Sequence, residues 1–269
     1  MCYTIPMIYV FTDLDETLLN SESKLTQTTI DAIAELRNAG HQLIPVTGAP
    51  YSIQRPRILG ANIDYMISSN GGAIYDVRAN KPIFELPLDP QTIRELWQVM
   101  KPHIETANLH CGIVHRRVFN EQELEQVITT HTVTQVEPNG MDFEKMKALE
   151  SALQPFMKQK RLRVANRSKI FCDPKFVRGP TKWFGYDIVN DCTNKGEGIR
   201  RFCKLMNVNP KNTVAIGDGL NDVLMFDAVQ TKVAMGNSLQ YVKDLADHVT
   251  DDNDNDGVAK YIKWGILGI

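Results

Sequence analysis

The sequence predicts an α/β protein: a Rossmann-like parallel-sheet core, divided in two by an inserted α+β domain. Three observations carry that expectation. Short apolar runs alternate with helical patterns through the first part of the chain, as in a parallel sheet joined by crossover helices. The same alternation returns from Lys195 onward. Between the two, helix-patterned stretches are separated by β-rich pieces, and Pro82, Pro87 and Pro180 punctuate the junctions. The expected organisation is a first core half over 1–82, an inserted domain over 83–189 and a second core half over 190–269.

Taken in order, Met7 to Thr12 reads as a strand buried on both faces. Ile30, Ile33 and Leu36 line one face of a helix that Gly40 ends, and Gln42 to Val46 is the next strand. A helix from Tyr51 to Leu59 stops at Gly60, the strand Tyr65 to Ser68 follows, and Asn70-Gly71-Gly72 turns the chain. In the insert, Gln91–Met100, Glu121–Thr130 and Asp142–Met157 have helical patterns, while Leu162–Ala165 and Lys169–Cys172 read as strands. The second half offers a helix from Lys195 to Met206 with Ile199, Phe202 and Met206 inward, then strands at Val214–Ile216, Lys232–Ala234 and His248–Thr250.

Acidic and hydroxyl-bearing residues fall just past the carboxyl ends of these strands, where open α/β sheets bind their ligands. Asp13 is first after its strand, so its carboxylate can attack phosphorus and form an aspartyl phosphate. Asp15 lies two residues on, on the same side of an extended segment, and can protonate a leaving oxygen and later deprotonate water. A phosphate among carboxylates requires a cation, and magnesium suits hard oxygen ligands. Asp218 and Asp222, in the glycine-loosened Gly217-Asp218-Gly219-Leu220-Asn221-Asp222, can help Asp13 hold it. Thr47-Gly48 offers a hydroxyl and backbone N–H donors to phosphate oxygens, and Lys195 a positive charge at a helix start.

The segments FTDLDETLLN, PVTGAP, SSNGGAIYD, NKGEGIR, AIGDGLNDVLMF and AMGNS together resemble the haloacid dehalogenase superfamily, specifically its Cof-type (subfamily IIB) phosphatases with a C2-type cap. The resemblance covers both core halves by motif and the insert by size and position. It implies Asp13 as nucleophile, Asp15 as acid and base, Thr47, Gly48 and Lys195 as phosphate ligands, and Asn221 as a supporting contact. It also implies Mg2+ held by Asp13, the backbone carbonyl of Asp15, Asp218 and Asp222. The expected reaction is hydrolysis of a small phosphorylated metabolite, with a sugar phosphate the foremost case. Two positions depart from the family's pattern: Glu16 stands where glycine is usual, and Ala49 where arginine frequently follows Thr-Gly.

Competing readings fit parts of the pattern. A phosphomutase uses the same aspartyl phosphate but returns the group to its substrate. A phosphate-binding regulator on a retired enzyme fold would suit Glu16 and Ala49, against the intact acidic set. A receiver domain uses Asp, Thr and Lys but has neither the insert nor the late Gly217–Asp222 segment. Asp252, Asp254, Asp256 and Gly257 match the opening of a calcium loop, yet Lys263 stands where the bidentate glutamate belongs, so an acidic turn is the better account.

Composition narrows the partners. The 269 residues are 43% hydrophobic and 23% charged with a net charge of -2, which gives no global attraction to nucleic acid or anionic membrane. The five cysteines are scattered and never spaced Cys-x-x-Cys, so neither a disulfide framework nor a zinc site is indicated. With an N-terminus that reads as a strand instead of a leader, and no run of membrane-span length, the expected location is the cytoplasm. One basic run, from Lys158 to Lys182, has the ordinary reading of a solvated face. The alternative is that Arg161 and Arg163, sharing one face of a strand, meet an anionic substrate together with Arg167 and Lys169.

Overall fold

The computed structural model describes residues 6–166 and 185–269. They divide into two compact units, Met1–Ile83 with Asn194–Ile269, and Phe84–Thr193.

The first unit is built on a parallel sheet in which β1 (Tyr9–Thr12), β2 (Gln42–Pro45), β11 (Thr213–Gly217), β12 (Thr231–Ala234) and β13 (His248–Val249) run in the order β13-β12-β11-β1-β2. Central β1 is flanked by β11 and β2, with Thr12 opposite Ile216 on one side and Pro45 on the other. Buried on both faces, its side chains alternate between two apolar layers. Val10 joins Leu36 of α1 (Gln27–Asn38) and Val258 and Ala259 of α9 (Gly257–Tyr261) in one layer. Phe11 meets Phe202 of α6 (Lys195–Leu205) edge to face, with ring centroids 5.6 Å apart, in the other. Met7 is exposed and the strand begins only at Tyr9, where its pairing with both β11 and β2 starts, so the expected start at Met7 is too early. Beyond β2, a parallel bridge from Val46 to Ile67 leads to β3 (Tyr65–Ser68), which forms a smaller sheet with β4 (Ala73–Asp76) and β5 (Lys81–Glu85). Between β2 and β3 lies α2 (Tyr51–Ile58), and after β11 and β12 come the short helices α7 (Val223–Phe226) and α8 (Gln240–Asp244).

The second unit is a five-stranded sheet in the order β7-β6-β8-β10-β9, made of β6 (Thr106–Cys111), β7 (Val114–Val118), β8 (Gln135–Asn139), β9 (Arg163–Asn166) and β10 (Tyr186–Val189). Its paired strands are antiparallel. Its helices are α3 (Pro90–Met100), α4 (Glu121–Thr130) and α5 (Phe143–Lys158), started by the side chains of Asp89, Asn120 and Asp142, each of which accepts a backbone N–H of the first turn. Leu96, Leu124 and Leu149 from these helices pack with Leu109, Val136 and Ile188 from the sheet.

Here the pairing expected of Arg161 with Arg163 is overturned. The chain turns at Lys160, where φ is +53°, and β9 begins only at Arg163. Arg161 therefore precedes the strand. Its guanidinium donates to Glu95 at 2.6 Å and to Thr92 at 2.9 Å, both on α3, and lies over the Phe156 ring. It is a clasp within the helical layer. Arg167, Lys169, Lys175, Arg178 and Lys182 lie outside the described residues, as do the expected strand Lys169–Cys172 and the thiols of Cys2 and Cys172.

Candidate active site

Because β1 lies between β11 and β2, the segments leaving their carboxyl ends converge. The Asp13 N–H donates to Ile216 at 3.0 Å and the Val46 N–H to Thr12 at 2.8 Å, so the sheet's hydrogen-bond ladder extends to the first residue of each loop. Asp13 is thereby fixed by backbone, and its side chain is buried.

The charge centre is Lys195, only 2% exposed at the start of α6. Its Nζ lies 2.7 Å from Asp13 Oδ1 and 2.6 Å from Asp222 Oδ1. Asp222 is fully buried, and its other oxygen accepts the backbone N–H groups of Asp218 at 3.0 Å and Gly219 at 2.9 Å. One carboxylate thus holds both the lysine and the loop. This closeness requires glycine at 217, where a Cβ would stand 2.4 Å from the Cβ of Asp222. Asp218 Oδ1 accepts from the Thr17 hydroxyl at 2.7 Å.

Asp13, Asp218 and Asp222 each offer an oxygen, all within 4.8 Å of one another. Burial, then the charge of Asp222, pushes Asp13 up to about 7 despite Lys195. Burial and the charges of Asp222 and Asp13 push Asp218 up to about 8, with Glu16 adding to the repulsion. Burial opposes the charge on Lys195, but Asp13 and Asp222 outweigh it and hold the ammonium above the usual lysine range. Among the described residues, Lys195 pairs with Asp13 and Asp222, while Asp218 is held by the Thr17 hydroxyl. A hard, oxygen-seeking divalent cation fits this donor set, and the resident charge is short of neutral without it.

The remaining expected residues are placed as follows. Thr47 is buried after β2, and its hydroxyl oxygen accepts the Ala49 N–H at 3.0 Å, which leaves the hydroxyl proton free to be donated outward. Gly48 lies between them in the same turn. Asn221 is exposed in the Gly217–Asp222 loop. The Asp15 side chain is outside the carboxylate cluster and is bound by two residues of α2: Gln54 donates to Oδ2 at 2.8 Å and Arg57 to Oδ1 at 3.0 Å. Gln54, Arg57 and the Thr17 hydroxyl had no assigned role in the sequence; no local pattern marks the first two, because their partner is 39 and 42 residues away.

Glu16 explains why glycine suits its position. It sits at φ +62°, ψ +10° in the wide turn after β1, and its carbonyl accepts the Asn237 side-chain amide at 2.8 Å. A left-handed conformation costs an L-residue roughly 1–2 kcal/mol, against about 0.5–1 kcal/mol of extra chain entropy for glycine. Glu16→Gly is therefore expected to raise the thermal midpoint slightly while removing one negative charge near Asp218. A lower midpoint in a calorimetric scan would show that the glutamate side chain more than offsets its strain.

The acidic C-terminal turn is structural. Asp252 accepts from Asn255, Asp254 from the N–H and hydroxyl of Ser21, and Asp256 from the hydroxyls of Thr26 and Thr29. Each carboxylate has its own partner, and they are not gathered around one point.

Comparison with known proteins gives the family. A family model described as haloacid dehalogenase-like hydrolase matches residues 10–262. The 5-amino-6-(5-phospho-D-ribitylamino)uracil phosphatase YcsE of Bacillus subtilis (strain 168) is 28% identical over 256 residues, covering 95% of this chain and 94% of that protein. The pyridoxal phosphate phosphatase YbhA of Escherichia coli (strain K12) is 29% identical over 273 residues, covering 93% and 95%. The fold also matches the solved structure of the subclass IIB sugar phosphatase BT4131, with TM-score 0.72, 19% identity and coverage of 96% and 98%. The chain belongs to the haloacid dehalogenase-like hydrolases, in their Cof-type branch. It is an enzyme of the phosphoric monoester hydrolase class.

Proposed function

We propose that the protein is a magnesium-dependent phosphatase that hydrolyses a small phosphorylated metabolite through an aspartyl phosphate on Asp13. The observation that carries this reading is the buried cluster in which Asp13, Asp218 and Asp222 lie within 4.8 Å and Lys195 bridges two of them. Asp13, Asp218, Asp222 and the backbone carbonyl of Asp15 would hold Mg2+, which when bound supplies the positive charge that lets a phosphate dianion enter an acidic site.

In the first half-reaction an Asp13 carboxylate oxygen attacks phosphorus, the bond from phosphorus to the leaving oxygen breaks, and Asp15 gives that oxygen a proton. In the second, Asp15 takes a proton from water as the water oxygen attacks the same phosphorus. The bond to Asp13 then breaks, which frees inorganic phosphate and restores the carboxylate. Lys195 orients Asp13 and offsets its charge throughout. The Thr47 hydroxyl and the Gly48 N–H donate to phosphate oxygens, with Asn221 as a supporting contact.

The proposed substrate class is supported by the names of the relatives, which specify a phosphoribitylamino compound and pyridoxal phosphate. A sugar phosphate is the foremost case for this chain, and the inserted unit is the proposed C2-type cap that selects the leaving group. Among the described residues, no helix is long and apolar enough to cross a membrane. The buried thiols of Cys111 and Cys203 are free, which supports a cytoplasmic, reducing location.

Incubation with a panel of small phosphate monoesters tests the reading. Phosphate release is expected with Mg2+, lost on chelation and restored by adding the metal back. Isomerised product without free phosphate, or full turnover in thoroughly metal-free protein, would contradict it.

The raised carboxyl groups add a pH signature. In the metal-free protein Asp13 and Asp218 bind protons more tightly folded than unfolded, so stability is highest below the unfolded value and falls as pH rises through about 7 to 8. Mg2+ competes with those protons, so its binding should release protons and strengthen with pH across the same range. Thermal scans with chelator and with Mg2+ should diverge most near about pH 8. A stabilisation by Mg2+ that is independent of pH would place the ion elsewhere.

A further inference from the structure

We infer that Gln54 and Arg57 are positioning residues for Asp15, fixing the plane of its carboxylate by a two-point clamp from α2. The inference rests on the reading of Asp15 as the acid and base of the reaction.

Asp15 needs such a clamp. It lies in a turn with its side chain 50% exposed, and a carboxylate so placed would otherwise sample several rotamers. Proton transfer demands hydrogen-bond reach of the leaving oxygen and of water, so each unproductive rotamer subtracts from the rate. The clamp uses both oxygens. Gln54 Nε2 donates to Oδ2 at 2.8 Å, Arg57 Nη1 donates to Oδ1 at 3.0 Å, and the same Nη1 lies 3.3 Å from Gln54 Oε1. Three side chains therefore close a ring.

The chemistry of that ring fixes the orientation of its members. A carboxylate can only accept and a guanidinium can only donate, so the amide between them must turn its NH2 to Asp15 and its oxygen to Arg57. Glutamine is the side chain that satisfies both at once. Gln54 is 1% exposed, and a buried amide is costly unless its groups are bonded; here both are. Gln54 and Arg57 are three residues apart on α2, which places them on one helix face. Each Asp15 oxygen retains lone-pair capacity after accepting one bond, so the clamp orients the carboxylate without consuming it.

The position also bears on Ala49. Position 49, after Thr47-Gly48, is alanine, and the guanidinium that reaches Asp15 comes from the last turn of α2.

The test compares Gln54→Ala, Arg57→Ala and Arg57→Lys in the wild-type and Asp15→Asn backgrounds. With saturating Mg2+, kcat/KM is measured on p-nitrophenyl phosphate, whose leaving group needs no proton, and on glycerol phosphate, whose leaving group does. Arg57→Ala and Gln54→Ala are each expected to lose about tenfold or more on glycerol phosphate and about threefold at most on p-nitrophenyl phosphate. Arg57→Lys should recover part of the loss, because an ammonium keeps the positive charge and can still donate to Asp15 but lacks the rigid planar guanidinium that holds Nη1 between the carboxylate and the amide. In the Asp15→Asn background the same changes should alter the rate by no more than about twofold, since they act through the missing carboxylate. Folding is not at stake for Arg57, whose partly exposed ion pair is worth about 0–1 kcal/mol, and thermal midpoints verify this for every variant. Equal losses on both esters, or undiminished losses in the Asp15→Asn background, would overturn the inference. If Asp15→Asn itself lowers kcat/KM equally on both esters, the reading of Asp15 as the acid fails, and the inference falls with it.

Discussion

Asp13→Asn is expected to lower turnover by about four orders of magnitude or more, because an amide cannot displace the leaving group and form an acyl phosphate. It also weakens the donor set shared by Asp218 and Asp222. The fold should survive, for reasons visible in the site. Asparagine has nearly the same shape as aspartate, its carbonyl can still accept from Lys195, and the Asp13 backbone is fixed through its bond to Ile216. Burial and neighbouring charge push the native carboxyl up to about 7, so a neutral side chain removes an electrostatic cost of the metal-free state. A thermal midpoint equal to or above that of the wild type in chelator, with turnover abolished, is the expected pair of results. Activity within about tenfold of wild type would remove Asp13 from the centre of the reaction.

Lys195→Ala should produce the largest loss of stability among the single changes considered. Its ammonium is buried between Asp13 and Asp222, and breaking a buried ion pair by removing one partner typically costs about 3–5 kcal/mol. Here the loss strands two carboxylates and opens a cavity where the alkyl chain lay. Protonation of Asp13, whose carboxyl is already pushed up to about 7, can relieve part of this, so the penalty should grow as pH rises from about 5 to about 8. Mg2+ should recover part of it by restoring positive charge. Urea titrations at the two pH values, with and without the metal, measure all three effects. A loss below about 1 kcal/mol at the higher pH would mean that the cluster tolerates its own repulsion without the lysine.

The parallel core was legible because strands buried on both faces leave a strong trace: Tyr9–Thr12, Gln42–Pro45 and Thr213–Gly217 are short apolar runs, each ending just before a polar loop. A sheet of such strands brings its carboxyl-end loops together whatever their separation in sequence. That is how Asp13 comes to lie beside Lys195 and Asp222. The helices of the insert were legible from their helical patterns, whereas the caps that start them, Asp89, Asn120 and Asp142, are seen in the fold.

Other features depend on how faces meet. The expected pairing of Arg161 with Arg163 assumed that the strand already ran through residue 161, whereas the turn at Lys160 delays it and gives Arg161 to Glu95. The strand's extent is set by its partner β10, whose register reaches Arg163 and no further. Gln54 and Arg57 were silent because α2 carries no apolar periodicity that sets them apart, and their role depends on a turn far earlier in the chain. Glu16 was visible as an odd residue in a glycine position, but its left-handed backbone belongs to the folded turn alone.

The central claim is that Asp13 carries the phosphoryl group between substrate and water. Rapid quenching during turnover, followed by borohydride reduction, converts a phosphoaspartyl residue to homoserine, and peptide mass spectrometry locates it. Homoserine at position 13, absent without substrate, is the expected result. Turnover without any reducible intermediate, or homoserine at Asp15 or Asp218 instead, would contradict the mechanism.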